Sequence, residues 1–544
     1  MEAAAQGAGG RRGRSWRTAA GPLLLVVVAA AVFGSHVAHG GFYSDDWAIA
    51  SHVDETGYAR SVASELDALG SKPILALLLP APYAVLGTAP EPHLVLGLAL
   101  AVLTAALLYG VLRVLGLDAV AATMIALLAL LFPWSASTRL WATGAINNVA
   151  VCFYLGGVLV ALRALRRPGT PGLRLHVAAS ALLAASVLTY EIAAPLALVT
   201  GAAYLARLPR RAALVRWGID VAAVGAALAY SAATTKKTTE PLSDQANHLP
   251  TVARDAVRLW TDALVPVPVP HEAVAAVAAA VVVLAVLAMR RTIDADLRDR
   301  LRQWLLVAAA AAVATVASYA MFVPSAWWRP RFGGLLDRVN LLAALPMSVL
   351  VFAVLVLLWL ITCVRVPRRA RLAVPAAVAA ACVICVGYVH DLAREKRHYA
   401  AAYAQERDAL ARLLAAVPHP RTGSTILAYG TAPDVAPGLP VYYDNWDLSG
   451  AVQLALHDGS IAAYPVFAGA SLDCRAGELQ IRNLPTPSPE YSIVPKGSVV
   501  PYGRVIFADV KAREALVPRD PIACRRALDR LRRVAAPYTR RFFS

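Results

Sequence analysis

Long apolar runs recur along residues 20–390 and are separated by short clusters that are rich in arginine. A transmembrane helix needs about 20 mostly apolar residues. The candidate runs, some of them shorter than that, are 20–39, 92–112, 118–134, 143–165, 174–190, 192–208, 215–232, 271–289, 303–323, 339–363 and 372–390. The pattern predicts a mainly α-helical, polytopic membrane protein with about 11 transmembrane helices in residues 20–390.

A further apolar segment, residues 73–88, is too short to join this series. It is about 16 residues long and contains Pro80 and Pro82, which makes it a poor span. We therefore expect interfacial helices here, inside a first outer loop that covers residues 40–91.

Basic residues between the runs predict the orientation, because loops on the cytoplasmic side are enriched in Lys and Arg. With the basic N-terminal segment 1–19 in the cytoplasm, the inside loops carry 22 basic residues and the outside loops carry ten. Counting 73–88 as a span would move Arg113 outside and break this alternation. A cleaved signal peptide is the alternative interpretation of the first run, since arginines precede it and small residues surround Gly40.

An odd number of spans places residues 391–544 on the outer face. This tail is far more polar than the preceding part of the chain and long enough for a small core of its own. A helical pattern runs to Leu414 and is terminated by Pro418 and Pro420. Strand-like runs follow at 424–429, 440–443 and 504–508. The tail is therefore predicted to be an extracytoplasmic α/β or β-rich domain.

Composition excludes several classes of protein. Hydrophobic residues make up 58% and charged residues 16%, with a mean hydropathy of +0.56, so a cytosolic enzyme, a secreted factor and a disordered scaffold are excluded. The net charge of +17 would suggest nucleic acid in a soluble protein, but here the basic clusters are expected to face anionic membrane lipid instead. The high Ala and Arg content is typical of a GC-rich bacterial genome, which points to a bacterial plasma membrane.

Candidate chemistry begins directly after the first span, where Asp45 and Asp46 stand between aromatic residues. Two adjacent carboxylates at a membrane boundary are costly when they are partly desolvated. A bound proton or a divalent metal ion would relieve their repulsion, and no other cofactor is indicated. The alternative is a solvated loop with an interfacial aromatic belt.

A first span followed by an aromatic-flanked acidic pair, with interfacial helices in the same outer loop, resembles the membrane glycosyltransferases of the C superfamily (GT-C). The resemblance covers residues 20–390. It implies transfer of a sugar from a polyprenyl-phosphate donor to an envelope glycan, lipid or protein on the outer face. It also implies that Asp45 is the general base and that Asp46 is its partner or a metal ligand. No subfamily signature is present, so the sugar and the acceptor stay open.

The rival interpretation is a transporter or flippase for lipid-linked saccharides, or a non-catalytic assembly factor. A transporter should carry ionisable residues in the middle of the membrane and paired broken helices. Most charges in this sequence lie instead at the ends of the predicted spans. The distribution favours chemistry at the membrane surface.

Cations that could hold the donor phosphate lie in a late outer loop with Trp327, Trp328 and Phe332; they are Arg329, Arg331 and Arg338. Arginine matches phosphate geometry, and the resemblance to GT-C enzymes also implies basic residues in late outer loops. The alternative is an aromatic belt with snorkelling arginines. Lys236 and Lys237, in a long outer loop at 233–270, are the next candidates.

Side chains that could contact the acceptor or sugar are Trp47, Glu191 and His248. The loop 233–270 would either close over a substrate or serve as a passive connector. Glu191 lies between two apolar runs, where a structural, hydrogen-bonded glutamate is an equal alternative.

Cys474 and Cys524 are the only cysteines of the tail. An oxidising compartment would allow a disulfide between them, and we predict one. The other four cysteines lie in or beside the spans and are interpreted as small apolar residues.

Overall fold

The computed structural model describes residues 2–167, 169–235, 241–291, 294–324, 328–431, 434–442, 445–467, 470–484 and 498–535. The helices up to the last span are α1 (Glu2–His39), α2 (Asp45–Thr56), α3 (Tyr58–Ala68), α4 (Pro73–Leu78), α5 (Ala81–Leu86), α6 (Pro90–Leu115), α7 (Ala119–Leu130), α8 (Ser137–Leu140), α9 (Ala142–Ala145), α10 (Asn147–Ala164), α11 (Gly169–Thr189), α12 (Ala194–Val199), α13 (Gly201–Leu205), α14 (Arg210–Thr234), α15 (Leu242–Leu264), α16 (His271–Arg291), α17 (Ala295–Tyr319), α18 (Leu341–Thr362) and α19 (Ala373–Ala416). Short 3-10 helices link several of them, at Pro133–Ser135, Glu191–Ala193, Ala320–Phe322, Leu335–Asn340, Cys363–Arg365 and Pro367–Leu372.

Within these described ranges, nine helical segments are long and apolar enough to cross a membrane. They are Ala20–His39, Pro90–Leu115, Ala142–Ala164, Gly169–Thr189, Arg210–Thr234, His271–Arg291, Ala295–Phe322, Leu335–Arg365 and Pro367–Ala416. In the part of the chain that the structure describes, strands occur only after these segments. The predicted fold class is therefore confirmed: the chain is a mainly helical, multi-pass membrane protein with a strand-containing C-terminal region.

Two of the predicted spans, 118–134 and 192–208, are shorter helices. The first is the 12-residue α7, and the second is the broken apolar segment Glu191–Leu205. Pro133 follows α7 and prevents its continuation. In the second segment Pro195 stands at the second position of α12, where proline suits a helix start, and the break lies at Thr200 between α12 and α13.

Both short segments nevertheless join opposite ends of the helix bundle. At the end where α1 finishes, His36 is bonded to the Leu140 carbonyl, beyond the C-terminus of α7, at 2.8 Å. The second segment starts at this same end, where Glu191 pairs with Lys72 of the first loop. Arg207, just past the second segment, donates to the Val114 carbonyl at 3.1 Å, and Val114 lies just before α7, so this contact marks the opposite end for both segments. The count of 11 transmembrane helices stays a prediction, and these contacts support it.

The first loop contains four short helices, α2 to α5, and no long one. Gly57 separates α2 from α3 with φ of +78°, a conformation that glycine adopts without strain. Pro80 separates α4 from α5, as the sequence indicated. The apolar segment 73–88 is thus two helices of six residues each rather than a span.

Helix α19 connects the bundle to the tail without a break. Its 44 residues extend for about 66 Å, roughly twice the thickness of a bilayer core. Residue 390, taken from the sequence as the limit of the membrane domain, lies inside this helix. The second half of α19 packs against three strands of the tail, at Asp434–Ala436, Leu439–Pro440 and Val505–Asp509.

The tail contains two more helices and nine strands in the residues described. They are β1 (Thr425–Tyr429), β2 (Asp434–Ala436), β3 (Leu439–Pro440), α20 (Asn445–Leu456), β4 (Ala462–Pro465), β5 (Ser471–Cys474), β6 (Glu478–Asn483), β7 (Ser498–Pro501), β8 (Val505–Asp509), β9 (Glu514–Leu516) and α21 (Pro521–Ala535). One sheet has the order β4-β1-β8-β9, in which β4, β1 and β8 are parallel and β9 is antiparallel. A second, antiparallel sheet has the order β5-β6-β7, and β2 pairs with β3.

A disulfide joins β5 to α21 through Cys474 and Cys524, whose Cα atoms are 5.9 Å apart. The predicted pairing is confirmed. The two strand-like runs near 424–429 and 504–508 correspond to β1 and β8, the central parallel pair, whereas the run 440–443 contributes only the end of the two-residue strand β3.

The first loop and the tail share one hydrophobic core. Phe42, Trp47 and Ile49 of the loop belong to the same buried cluster as Leu448 and Ile461 of the tail. The tail is therefore packed onto the loop that contains the acidic pair.

Candidate functional site

The backbone before the acidic pair is tightly constrained. A Cβ added to Gly41 would lie 2.1 Å from the Tyr403 ring, so only glycine fits there. Ser44 has φ of +47°, in the left-handed region that serine rarely adopts. Such conformations persist where the surrounding structure holds them, and they occur often at functional sites. The turn starts α2 at Asp45 and sends the two carboxylates into different surroundings.

Asp46 is completely buried and accepts four hydrogen bonds. Its Oδ2 accepts from the Tyr43 backbone N–H at 3.0 Å, and its Oδ1 accepts from the Tyr83 hydroxyl at 2.9 Å. Thr143 donates twice to Oδ1, from its backbone N–H at 2.8 Å and from its hydroxyl at 2.5 Å. The carboxylate thus ties together the first loop, α5 and α9.

Burial raises the pKa of Asp46 to about 7, from an ordinary value of 3.8. The hydrogen bonds from Thr143, Tyr43 and Tyr83 oppose this shift, because each donor favours the charged carboxylate. Since burial outweighs them, the pKa of Asp46 lies near neutrality.

Asp45 lies only partly buried, at the first position of α2. Its Oδ1 accepts hydrogen bonds from the Trp446 indole at 3.1 Å and from the Ser44 hydroxyl at 3.3 Å. Half-buried Glu65 of α3 is close enough to be affected by the Asp45 charge. Burial, and secondly this charge, raise the pKa of Glu65 to about 7. Asp45 therefore combines an accessible carboxylate with a fixed orientation, as a general base requires.

The same contacts bear on a metal ion at the acidic pair. Both oxygens of Asp46 accept protein hydrogen bonds, so this side chain does not fit the role of a ligand in this arrangement. Among the residues that the structure describes, no group of three or more His, Cys, Asp or Glu side chains could hold a metal ion. Dependence on a divalent metal stays a prediction, with Asp45 as its remaining ligand from the pair.

Arg338 lies at the same end of the bundle as the acidic pair. Its guanidinium is 4.8 Å from the centre of one Trp141 ring and 5.8 Å from that of Trp328. The Trp141 indole donates to the Tyr43 carbonyl at 3.0 Å, so one aromatic ring separates Arg338 from the backbone that leads to Asp45. This geometry places a cation at the same end of the bundle as the candidate base, with the Trp141 ring between them.

The neighbouring Asp337 fixes the loop that carries Arg338. It is fully buried and accepts hydrogen bonds from the backbone N–H groups of Ala136 and Ser137, at 2.9 and 3.0 Å. The Ser137 hydroxyl donates as well, at 2.5 Å. These N–H groups lie at the start of α8, and the N-terminus of a helix stabilises a negatively charged carboxylate. Asp337 therefore has a positioning role that the sequence did not reveal.

The other predicted phosphate-binding cations are distributed differently. Arg329 is 3.8 Å from Asp255 of α15, so part of its charge is already compensated. The Arg331 carbonyl accepts from the Asn340 amide at 2.6 Å, which fixes its backbone. Lys236, Lys237 and Trp327 lie outside the described residues.

The long loop 233–270 is largely helical. Helix α15 occupies 23 of its residues and packs against the loop at 328–332. His248 binds the Trp328 carbonyl at 2.9 Å, and Arg258 lies 4.8 Å from the centre of the Phe332 ring. His248 therefore tethers helix α15 to the loop that precedes Arg338, and closure over a substrate stays a prediction.

The remaining predicted contact residues are already engaged with protein groups. Trp47 is 9% exposed and donates to Glu406 at 3.0 Å, while its ring stacks on Tyr403. Glu191 pairs with Lys72 at 3.4 Å. Both residues therefore brace the first loop, and a contact of either with sugar or acceptor stays a prediction.

Arg139 and Trp446 are two site residues that the sequence analysis missed. Arg139 is 4% exposed beside Asp337, and burial lowers its pKa to about 10 although the charge of Asp337 opposes the shift. From the sequence it was only one of several outer basic residues. Trp446 follows Asp45 by 401 positions, so no local pattern could have connected them.

No model of a protein family and no curated protein matches the chain. Among solved structures, the chain is similar to ArnT from Cupriavidus metallidurans bound to undecaprenyl phosphate, with 14% sequence identity and a TM-score of 0.42. The match covers 82% of this chain and 86% of the ArnT chain. The apo state of the same ArnT is similar at 15% identity and a TM-score of 0.35, with the same coverage. These similarities concern the path of the chain and not the reaction.

Proposed function

We propose that the protein is a GT-C-type glycosyltransferase of the bacterial plasma membrane. It transfers a sugar from a polyprenyl-phosphate donor to an envelope glycan, lipid or protein on the outer face. In this proposal the N-terminus is cytoplasmic and the C-terminal domain is extracytoplasmic. The observation that carries it is the different environment of the two carboxylates in the acidic pair. Asp46 is buried and accepts four hydrogen bonds, whereas Asp45 is only partly buried and accessible.

In the proposed reaction the Asp45 carboxylate accepts the proton of an acceptor hydroxyl. The hydroxyl oxygen then forms a bond to the anomeric carbon of the donor sugar. The bond from that carbon to the phosphate oxygen breaks, and the polyprenyl phosphate leaves with the electron pair. A positioned base contributes about 10²–10⁴-fold to such a step.

Negative charge grows on the leaving phosphate as this bond breaks, so a nearby cation stabilises the transition state. Arg338 meets this need best among the predicted residues, because it lies at the end of the bundle that carries Asp45 and its loop is held by Asp337. Arg331 belongs to the same segment. Arg329 is the weaker candidate because it already pairs with Asp255.

The fold explains how membrane and envelope substrates could meet at Asp45. The bundle borders the site on one side, where an isoprenoid chain would stay in lipid. The tail packs over the first loop on the other side, where a polar acceptor would arrive. In this proposal, the tail also braces the outer loops that form the site.

A transporter of lipid-linked saccharides is a second candidate, favoured by one buried cluster. Asp220 of α14 accepts hydrogen bonds from Ser180 of α11 at 2.5 Å and from Tyr204 of α13 at 2.7 Å. His176 lies 3.3 Å from the same carboxylate, and both side chains are fully enclosed inside candidate spans. Ionisable residues at this depth often mark transport pathways. Here each also bonds a neighbouring helix, which favours a structural clamp.

Purified full-length protein, incubated with radiolabelled polyprenyl-phosphate sugars and a cell-envelope extract, provides the test. The wild type should consume one donor, and Asp45→Asn should lose at least about 100-fold in turnover because the amide cannot accept the proton. Asp54→Asn is the matched control, since Asp54 is an exposed carboxylate on the same helix.

Full turnover by Asp45→Asn would remove the base from this mechanism. Movement of an intact donor across vesicles, abolished by Asp220→Asn and unaffected by Asp45→Asn, would instead establish the transporter.

A further inference from the structure

Helices α2 and α20 form an unusually close contact between the first loop and the tail. A Cβ added to Gly450 would lie 2.4 Å from the Trp47 carbonyl oxygen, so the two backbones touch at this point. Ser51 donates a hydrogen bond to Gln453 at 2.8 Å further along the same interface. Because backbones in contact leave little freedom to slide, side chains at this interface are held in register.

Trp446 stands at the second position of α20, at the end of the interface where α2 begins. Its indole N–H donates to Asp45 Oδ1 at 3.1 Å. Ser44, whose backbone is in the left-handed region, donates to the same oxygen at 3.3 Å. One carboxylate oxygen is thus held by two donors, one of which comes from a different domain.

We propose that Trp446 is a positioning residue for the Asp45 carboxylate, so that the C-terminal domain completes the reaction centre. This inference rests on the proposed function, since it assigns Trp446 a task in proton transfer by Asp45. A charge-assisted hydrogen bond orients the carboxylate, and the free oxygen is then directed to the acceptor hydroxyl. Orientation of this kind contributes to the rate even when substrate binding is unchanged.

A second consequence concerns the reactivity of Asp45. The Trp446 indole N–H occupies Asp45 Oδ1, so its loss leaves that oxygen more open to a reagent. Carbodiimides react with carboxyl oxygens that they can reach. Their rate of reaction with Asp45 at one fixed pH therefore reports on the Trp446 contact without any substrate.

The experiment compares Trp446→Phe with wild type in two measurements on the full-length protein. Trp446→Phe keeps an aromatic ring in the interface and loses the donor. We expect its kcat for donor consumption to fall about tenfold with KM within about twofold of wild type. We also expect carbodiimide modification of Asp45, located by mass spectrometry, to become several-fold faster.

Ser51→Ala is the matched control, because it removes another hydrogen bond of the same interface that does not reach Asp45. It should leave both measurements at wild-type values.

Trp446→His keeps a ring N–H and should recover part of the lost kcat. If Trp446→Phe and Trp446→His both unfold at a clearly lower temperature than wild type and are equally slow, the loss of kcat comes from misfolding and not from the missing donor.

Equal carbodiimide rates in wild type and Trp446→Phe would overturn the positioning role. So would equal kcat in these two proteins while Asp45→Asn is inactive. Failure of the proposed function has a different signature: no polyprenyl-phosphate sugar is consumed by wild type, and the carbodiimide comparison still decides the role of Trp446.

Discussion

Asp46 and Thr143 are joined by two hydrogen bonds to a single carboxylate oxygen, from the threonine backbone at 2.8 Å and from its hydroxyl at 2.5 Å. This pair connects the first loop to α9, 97 residues further along the chain. The contact explains why an aspartate that is completely buried can be retained next to Asp45: it holds the loop in place while its neighbour stays accessible.

Thr143→Val should destabilise the protein, because it removes one donor from a buried carboxylate while it preserves the shape of the side chain. We expect a loss of about 1–3 kcal/mol in stability, measured as a lower midpoint of thermal unfolding in detergent. Thr315→Val is the matched control, since the Thr315 hydroxyl bonds only to a carbonyl of its own helix in the contacts described. Similar midpoints for the two variants would contradict the role of the Asp46 contact.

Protonation of Asp46 should make the protein more stable in mild acid. Its folded pKa of about 7 lies above the ordinary 3.8, so the folded state binds the proton more tightly than the unfolded state. The associated stability is fully present below about pH 4 and is lost as pH rises to about 7, at roughly 1.4 kcal/mol per pH unit. Glu65, also raised to about 7, acts in the same direction.

Thermal unfolding midpoints measured between pH 5 and pH 8 test this dependence. Wild type should lose stability as pH rises, and Asp46→Asn should start from a lower midpoint and change less with pH. Asp54→Asn should retain the wild-type dependence. A slope for Asp46→Asn as steep as that of wild type would assign the effect to other groups.

The broad architecture could be predicted because the bilayer constrains the sequence strongly. Apolar runs near 20 residues identified nine long segments, and the prolines at 80 and 82 indicated that the segment 73–88 is broken into short helices. Runs 118–134 and 192–208 contain shorter helices than their apolar length suggested, because neither Pro133 after α7 nor the break at Thr200 between α12 and α13 changes the apolar composition. Hydropathy reports apolar length and not helical length.

The site was only partly predictable, for a different reason. Asp45 and Asp46 are chemically identical in the sequence, and only the fold shows that Tyr83 and Thr143 enclose one of them. Trp446 lies in another domain, so its contact with Asp45 depends on how α20 packs on α2. Local pattern locates candidate residues, whereas burial and partners assign their roles.

Arg338 should contribute to donor binding if it holds the carrier phosphate. We expect Arg338→Ala to weaken binding of a polyprenyl-phosphate analogue by about 1.5–3 kcal/mol, and Arg338→Lys to give an intermediate loss, because lysine keeps the charge without the planar fork. Titration of the analogue against each purified variant measures this. Arg60→Ala, at an exposed position of α3, is the control. Equal affinities in all variants would transfer the phosphate role to Arg331 or to Lys236 and Lys237.

The Cys474–Cys524 disulfide should stabilise the tail. It closes a loop with a sequence separation of 50, for which the chain-entropy model gives about 4 kcal/mol. Cys474→Ser with Cys524→Ser should make the tail more sensitive to limited proteolysis, and Cys382→Ser, outside the tail, should not. Detection of both thiols as free in protein purified without reductant would contradict the bond.

The orientation can be tested with two engineered cysteines at opposite ends of the bundle. Asp54→Cys lies on α2 at the end that carries Asp46, and Arg210→Cys lies at the start of α14 at the opposite end; both positions are exposed. Because the arginine-rich end is predicted to be cytoplasmic, a membrane-impermeant maleimide should label Asp54→Cys in intact cells. It should reach Arg210→Cys only after permeabilisation, with wild type as the background. The reverse pattern would place Asp45 and the whole C-terminal domain in the cytoplasm, where the proposed outer-face transfer cannot occur.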